Sequence, residues 1–359
     1  MEDLLLSKDS FLVESSFGNY NVKFIKFKFF LDSLDVNKTF LVVDQSIFTL
    51  FKDSFSHYPK SKVVIINSSE KTKSFEYSSK LINDLIDRKI KKDNLLVAIG
   101  GGTLQDITAF VSSMLFRGIK WSFVPTTLLA QCDSCIGSKT SINFKKYKNV
   151  LGNFYPPLEV IIDESFIEFL PNDEIKSGIG EMVHYFYFAD STFLKKIFLD
   201  YKKIIKREKS LLPFIKESLK IKKEVIEVDE FDKGIRNHFQ FGHTFGHAIE
   251  TATKYRINHG QAVTLGISIS MYISMKNDLL SKELFLENHQ LISVNFPDFR
   301  FQKFNFNLFW DALIKSKNNI EDYLVCILIK KPGYLKKSSI LINDDLKFLL
   351  KEYFMEFHN

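Results

Sequence analysis

Residues Asn94–Asp106 read NLLVAIGGGTLQD, an unbroken apolar run closed by three glycines and followed by a helical pattern. A short, continuously apolar run suits a strand buried on both faces, as in a parallel sheet covered by helices. Three comparable runs lie nearby: TFLVVD ending at Asp44, KVVIIN ending at Asn67 and KWSFVP ending at Pro125. Helical patterns separate them, so the first half reads as an α/β domain. The glycine turn between strand and helix places backbone amides where a phosphate can be held. Asp44, at the end of another strand, stands where ribose hydroxyls are read. The spacing is not GxGxxG, so the expected dinucleotide binds in a variant manner; a simple tight turn is the plain alternative.

From about residue 164 the pattern turns helical. The segments are EIKSGIGEMVHYFYFAD (174–190), LLPFIKESLKIKKEVIEVD (211–229), a histidine-bearing helix, and QAVTLGISISMYISMKN (261–277). The expected organisation is an α/β dinucleotide-binding domain at 1–163 and a mostly α-helical metal- and substrate-binding domain at 164–359, with a cleft at the boundary.

The histidine-bearing segment Phe241–Glu250 reads FGHTFGHAIE, and His259–Gly260 follows it. On a helix, His243 and His247 project from one face about one turn apart. Arg236, Gln240, His243 and His247 fall at i, i+4, i+7 and i+11, which predicts one continuous helix carrying a polar stripe between apolar flanks. Such a stripe reads as the wall of a cavity, and converging imidazoles point to a metal site or paired acid/base chemistry. A hydrogen-bonded core histidine is the ordinary alternative.

The run DSCIGSKTSINFKKYKN (133–149) carries Asp133, Lys139, Asn143, Lys148 and Asn149 between two apolar segments. Its plain reading is a solvated lysine loop. A donor-rich loop at a cleft mouth also suits a phosphomonoester.

The 359 residues are 45% hydrophobic and 26% charged with a net charge of +6, which describes an ordinary globular protein suited to small anions. No basic block interleaved with aromatics suggests nucleic acid. No apolar run reaches transmembrane length and MEDLLLSKDS is no secretory signal, so no membrane contact and a cytoplasmic location are expected. Cys132 and Cys135 form a CxxC without a second pair and Cys326 stands apart, which favours buried thiols over a zinc or redox site.

These readings meet in one family. GGGTLQD, FRGI, PTTLLAQCDSCIGSKTSIN, KNVLGNFYPP, SGIGEMVHY, DEFDKGIR, FGHTFGHAIE and HGQAV make the chain resemble the 3-dehydroquinate synthases, founders of the sugar phosphate cyclases, over nearly its full length. The resemblance implies a divalent metal, zinc or cobalt, on Glu181, His243 and His259, with His247 turned to the substrate phosphate. It implies NAD contacts at Asp44, Glu70, Lys73, Lys139 and Lys148, with Gly101 and Gly102 at the pyrophosphate and Asp106, Thr126 and Thr127 near the nicotinamide. Asp133, Lys139, Asn149, Lys222, Arg236 and Lys317 match the substrate pocket. Arg117 matches an arginine that reaches the neighbouring subunit of a homodimer. The implied reaction acts on a small anionic keto-sugar phosphate by transient oxidation, phosphate elimination, reduction and intramolecular aldol closure.

The chain departs from the family pattern at His184, where lysine is usual, at Gln240 for asparagine, Gln105 for glycine, Gln261 for glutamate and Lys315 for aspartate. The resemblance implies an acidic substrate through Arg236, a position where relatives that cyclise neutral sugar phosphates lack an arginine because they have no carboxylate to pair with it. The altered positions would suit a specialised cyclase for another heptulose phosphate. A metal-dependent alcohol dehydrogenase would instead accumulate NADH, and a non-catalytic binding protein would have lost ligands or phosphate lysines.

Overall fold

The computed structural model describes residues 9–145, 147–298, 304–316 and 319–358. They form two compact units: Met1–Leu170 with Ile226–Glu230, and Pro171–Val225 with Phe231–Asn359.

The first unit is built on a seven-stranded sheet. In chain order its strands are β1 (Ser10–Val13), β2 (Tyr20–Phe24), β3 (Thr39–Asp44), β4 (Val63–Ile66), β5 (Leu95–Gly100), β6 (Lys120–Pro125) and, after a separate hairpin of β7 (Ile142–Phe144) and β8 (Tyr147–Leu151), β9 (Glu159–Ile162). The spatial order is β1-β2-β9-β6-β5-β3-β4, parallel throughout except for the edge strand β1. The four apolar runs read as strands in the sequence are β3, β4, β5 and β6. β3 and β5 are buried almost end to end, as two-sided coverage of a parallel sheet requires. The covering helices are α1 (Phe27–Ser33), α2 (Gln45–Leu50), α3 (Phe75–Asp87) and α4 (Gly102–Met114). On one face Phe27, Phe30, Phe55 and Phe166 pack against Leu41, Val43, Val97 and Ile99.

The second unit contains α5 (Asn172–Ala189), α6 (Phe193–Leu199), α7 (Tyr201–Ile205), α8 (Leu212–Val228, whose last turn belongs to the first unit), α9 (His243–Ala252), α10 (His259–Lys276), α11 (Lys282–Ser293), α12 (Phe306–Ile314) and α13 (Asp344–Phe357). α10 is its axis, buried from Gly260 to Ser274 and packed by α5, α9 and α11. A helix that is apolar nearly all round belongs in such a place.

One sequence expectation is overturned by the structure. The single helix carrying Arg236, Gln240, His243 and His247 is broken into a 3-10 helix at Ile235–Gln240 and the α-helix α9. The break falls at Gly242, which has φ 83° and lies so close to α10 that a Cβ would meet Ile267 and the Val263 carbonyl. Glycine adopts that left-handed backbone without the penalty of a side chain. The mostly helical second unit also carries an antiparallel hairpin, β10 (Tyr323–Lys331) and β11 (Tyr334–Leu341), which the sequence reading did not mark. Pro332-Gly333 between two β-rich runs forms its turn, and Gly333 has φ 78°.

Cys132, Cys135 and Cys326 are buried thiols. Among the described residues no helix is long and apolar enough to cross a membrane.

Candidate active site

In the first unit, β3 and β5 are neighbours although β4 intervenes in the chain, so the sheet reverses its direction of growth between them. A crevice opens at the carboxyl ends of strands at such a point. Asp44 ends β3 and Gly100 ends β5; a Cβ on Gly100 would lie 3.4 Å from that of Asp44. Gly101 is the N-cap of α4 and no side chain caps it, which leaves the first helix amides for an anion. Gly101 backs onto Thr127, whose side chain would meet an added Cβ at 3.1 Å, and the Thr126 amide donates to the Gly100 carbonyl at 2.9 Å. Asp44 accepts from the Ser46 amide, so it also caps α2, while its second oxygen faces the Ser68 amide at 3.4 Å. This glycine-lined, amide-rich crevice fits a dinucleotide.

A second group in this unit gathers Glu70, Lys73, Asp106, Lys148 and Asn149. Lys73 Nζ lies 2.6 Å from Asp106 Oδ2, and the Ser141 amide donates to Asp106 Oδ1 at 3.2 Å. Burial pushes the Asp106 carboxyl up against the opposing pull of Lys73. Asn143 ties the group together. Its side chain donates to Glu70 Oε1 (2.8 Å), its amide donates to the Lys73 carbonyl (2.9 Å), and its side-chain oxygen accepts from the Asn149 amide (2.9 Å). Lys148 Nζ stands 3.7 Å from Glu70 Oε1. Ser141, Asn143 and Asn149 thus tie the 133–149 run to Glu70, Lys73 and Asp106, while Lys139, Lys145 and Lys148 remain exposed. Asp133 is half-buried in a π-helical turn at Ala130–Ser134, and Lys139 is exposed where the backbone bridges to Phe154. Arg117 is exposed, at φ 64°, just after α4. Gln105 pairs with Ser134 through two hydrogen bonds of 2.6 and 2.7 Å, which gives that departure a structural role.

In the second unit the metal-type side chains meet through close helix crossings. A Cβ on Gly180 of α5 would collide with the Gly260 carbonyl at the start of α10, and one on Gly260 would collide with the Ser177 carbonyl. Glycine at both places lets the backbones touch, which sets Glu181 beside His259. His259 Nε2 lies 3.2 Å from Glu181 Oε2, His243 Nε2 lies 3.6 Å from Glu181 Oε1, and His184 Nε2 lies 3.1 Å from that same Oε1. Glu181, His184 and His243 are buried, while the His259 side chain keeps 31% exposure. Glu250 Oε2 sits 3.3 Å from His259 Nδ1 and can fix the ring with Nε2 toward Glu181. Glu250 was not singled out in the sequence, although it ends the FGHTFGHAIE motif one turn after His247.

Electrostatics follow this geometry. Burial pushes the Glu181 carboxyl up, but His184, His243 and His259 outweigh it and hold the group well below the usual carboxylate range. Burial pulls His259 down, but Glu181 and Glu250 more than reverse this and raise it well above an ordinary histidine. The His247 side chain is exposed at the cavity wall, yet desolvation with His243 and His259 lowers it from the ordinary histidine range, which favours the neutral ring near pH 7. A site that favours positive charge among a carboxylate and several imidazoles fits a zinc- or cobalt-type ion. Glu181 Oε2 is buried with His259 Nε2 3.2 Å away, a pair that can share one ion.

Beside this cluster lies a cavity of about 420 Å³, lined by Asp232, Asn237, Gln240, Thr244, His247, Ser316, Ile320 and Lys337 together with Val325, Cys326 and Ile327 of β10. Lys337 of β11 donates to Asn237 at 3.1 Å. Nothing in the sequence marked Lys337 or Asn237. Arg236 is half-buried on the 3-10 helix and Lys222 is buried on α8. Lys317 lies outside the described residues. Asn258, the N-cap of α10, accepts from the Gln261 amide and donates its side-chain amide to Gln261 Oε1 at 2.6 Å, and Lys315 is the C-cap of α12.

Residues 63–177 match the family described as 3-dehydroquinate synthase N-terminal, and residues 178–319 match 3-dehydroquinate synthase C-terminal. The chain is 33% identical over 319 residues to the 3-dehydroquinate synthase of Clostridium tetani, covering 88% of this chain and 84% of the relative. It is 36% identical over 316 residues to that of Pelagibacter ubique, covering 84% of this chain and 85% of the relative. Among solved structures it is similar to a 2-deoxy-scyllo-inosose synthase complexed with carbaglucose-6-phosphate, NAD+ and Co2+, with a TM-score of 0.81 at 23% identity over 97% of this chain and 99% of that one. It is also similar to the 2-epi-5-epi-valiolone synthase ValA from Streptomyces hygroscopicus with NAD+ and Zn2+ bound, with a TM-score of 0.78 at 20% identity over 94% and 98%. The chain belongs to the 3-dehydroquinate synthase family.

Proposed function

We propose that the chain is a 3-dehydroquinate synthase: an NAD- and divalent-metal-dependent cyclase that eliminates phosphate from a seven-carbon keto-sugar acid phosphate and closes a carbocycle. The observation that supports this reading is that His243 and His259 face the two carboxylate oxygens of Glu181, at 3.6 and 3.2 Å, next to the cavity that His247 and Gln240 line. NAD would take and return a hydride, and the metal, zinc or cobalt, would polarise the substrate's hydroxyl and carbonyl oxygens.

The protein's own groups have distinct tasks. Glu181, His243 and His259 hold the ion, and Glu250 keeps His259 turned toward it. His247, neutral and within the cavity wall, donates to the substrate phosphate. Asp44, Gly101, Gly102, Thr126 and Thr127 receive the cofactor at the crevice beside β3 and β5. Glu70, Lys73, Asp106 and Lys148 receive it at the second polar group, held together by Asn143. Arg236 pairs with the substrate carboxylate; Lys222, Lys139, Asn149, Asp133 and Lys317 bind its phosphate and hydroxyls. The protein works as a cytoplasmic homodimer in which Arg117 serves the neighbouring site.

The test is to incubate metal-loaded protein with NAD+ and the seven-carbon keto-acid phosphate and measure inorganic phosphate. Release of phosphate with no net NADH is expected. Accumulation of NADH with a simple alcohol and no phosphate release would overturn the reading. Turnover of a neutral heptulose phosphate alone would make the protein one of the specialised cyclases, of the kind its structural neighbours represent.

A further inference from the structure

We propose that His184 is itself a metal ligand in this protein, so that the ion is held by Glu181 and three imidazoles. The inference rests on the metal-site reading above and extends it to a position where the family resemblance implies a substrate-binding lysine.

Donors about 2.0–2.2 Å from a shared ion stand roughly 2.8–3.6 Å apart, the spread between right-angle and tetrahedral coordination. His184 Nε2 and His243 Nε2 lie 3.1 and 3.6 Å from Glu181 Oε1 and His259 Nε2 lies 3.2 Å from Oε2, so His184 stands at this spacing from the carboxylate as the other two imidazoles do. Glu181, His184 and His243 each offer a donor atom, and these atoms all lie within 4.8 Å of one another. His184 Nε2 and His243 Nε2 address the same oxygen from different helices, with ring centroids 5.0 Å apart and planes at 77°. The i, i+3 spacing of Glu181 and His184 on α5 puts both on one helical face. At 1% exposure His184 is shut in by Tyr185, Phe239 and His243, so its ring has little room to leave. A fourth protein donor leaves one fewer open position for substrate oxygens and holds the ion more firmly than Glu181, His243 and His259 alone.

The test is X-ray absorption at the metal edge of zinc-loaded protein, counting imidazoles, alongside metal affinity by competition with a chelator. Three imidazoles per zinc are expected in the wild type and two in His184→Ala, with affinity lowered more than about 100-fold, beyond the 10–100-fold loss typical when an outer partner of a ligand is removed. His184→Gln keeps a hydrogen-bond donor toward Glu181. Failure of Gln to restore affinity supports ligation, and restoration overturns it. Two imidazoles in the wild type overturn the assignment of His184 and leave the metal site standing. No stoichiometric metal on the loaded wild type would defeat the metal-site reading itself.

Discussion

Single side chains decide charge and selectivity in this protein. Replacing His243 with Ala removes an imidazole 3.6 Å from Glu181 Oε1 and should lower zinc affinity by more than about 100-fold, measured by competition with a chelator. Unchanged affinity would show that the ion is held elsewhere. Arg236→Leu tests the acidic substrate. A charge-assisted pair in a closed site contributes about 1.5–3 kcal/mol, so kcat/KM for the keto-acid phosphate should fall by a factor on the order of 10 to 10². A neutral heptulose phosphate should lose little. Equal losses on both substrates would mean that Arg236 is structural. Cys326 is the contrasting residue: it lines the cavity, yet burial pushes its thiol up to about 12, so it has almost no thiolate at neutral pH and no nucleophilic role.

At the scale of elements, the decisive feature is the touching of helix backbones. Gly180 against Gly260, and Gly266 against Gly242, bring α5 and the start of α9 onto α10. Gly180→Ala must force α5 away from the Gly260 carbonyl. Overpacking of this kind typically costs about 1–3 kcal/mol, so a lower Tm is expected. Because Glu181 and His259 flank the two glycines, zinc affinity should fall in the same variant. A lowered Tm with unchanged zinc affinity would separate the crossing from the site. The hairpin β10–β11 is the second such element, since it supplies Val325, Cys326, Ile327 and Lys337 to a cavity whose other residues come from α9, the 3-10 helix, the turn before it at Asp232 and the segment after α12.

For the molecule as a whole, pH bears on stability through a buried relay in the second unit. Tyr353 donates to Ser268 at 2.8 Å, Ser268 Oγ is 2.7 Å from His289 Nδ1, and His358 Nε2 is 3.3 Å from the Tyr353 hydroxyl. Burial lowers His289 to about 4, and burial with His289 lowers His358 to about 4. Both are neutral in the folded chain at pH 6, whereas an unfolded histidine binds its proton below about 6.5. Their stabilising effect is therefore complete above about pH 6.5 and is lost as pH falls toward 4. Tm should drop between pH 6.5 and 4.5, and His289→Gln should drop less steeply. Equal slopes in the two proteins would sink this account. Association is the other whole-molecule property: activity should fall on dilution to nanomolar protein if Arg117 serves a neighbouring subunit, and full activity of a monomer would exclude that role.

The sequence by itself determined the parallel sheet, because strands buried on both faces must be uniformly apolar, and TFLVVD, KVVIIN, NLLVAIG and KWSFVP could be little else. It also determined the family, since GGGTLQD, FGHTFGHAIE and HGQAV lie in order and at fixed spacing. Tertiary structure alone decided which side chains meet. The polar stripe of Arg236, Gln240, His243 and His247 assumed a straight helix, and the close approach of α10 to Gly242 broke it. The partnership of Asn143 with Glu70, of Gln105 with Ser134 and of Glu250 with His259 could not be read locally, because each joins residues whose separation in the chain carries no periodic signal. Lys337 was hidden for the same reason: an exposed strand lysine becomes part of a cavity wall only when its hairpin docks. Periodicity reports which face of an element is buried, and it is silent about which other element does the burying.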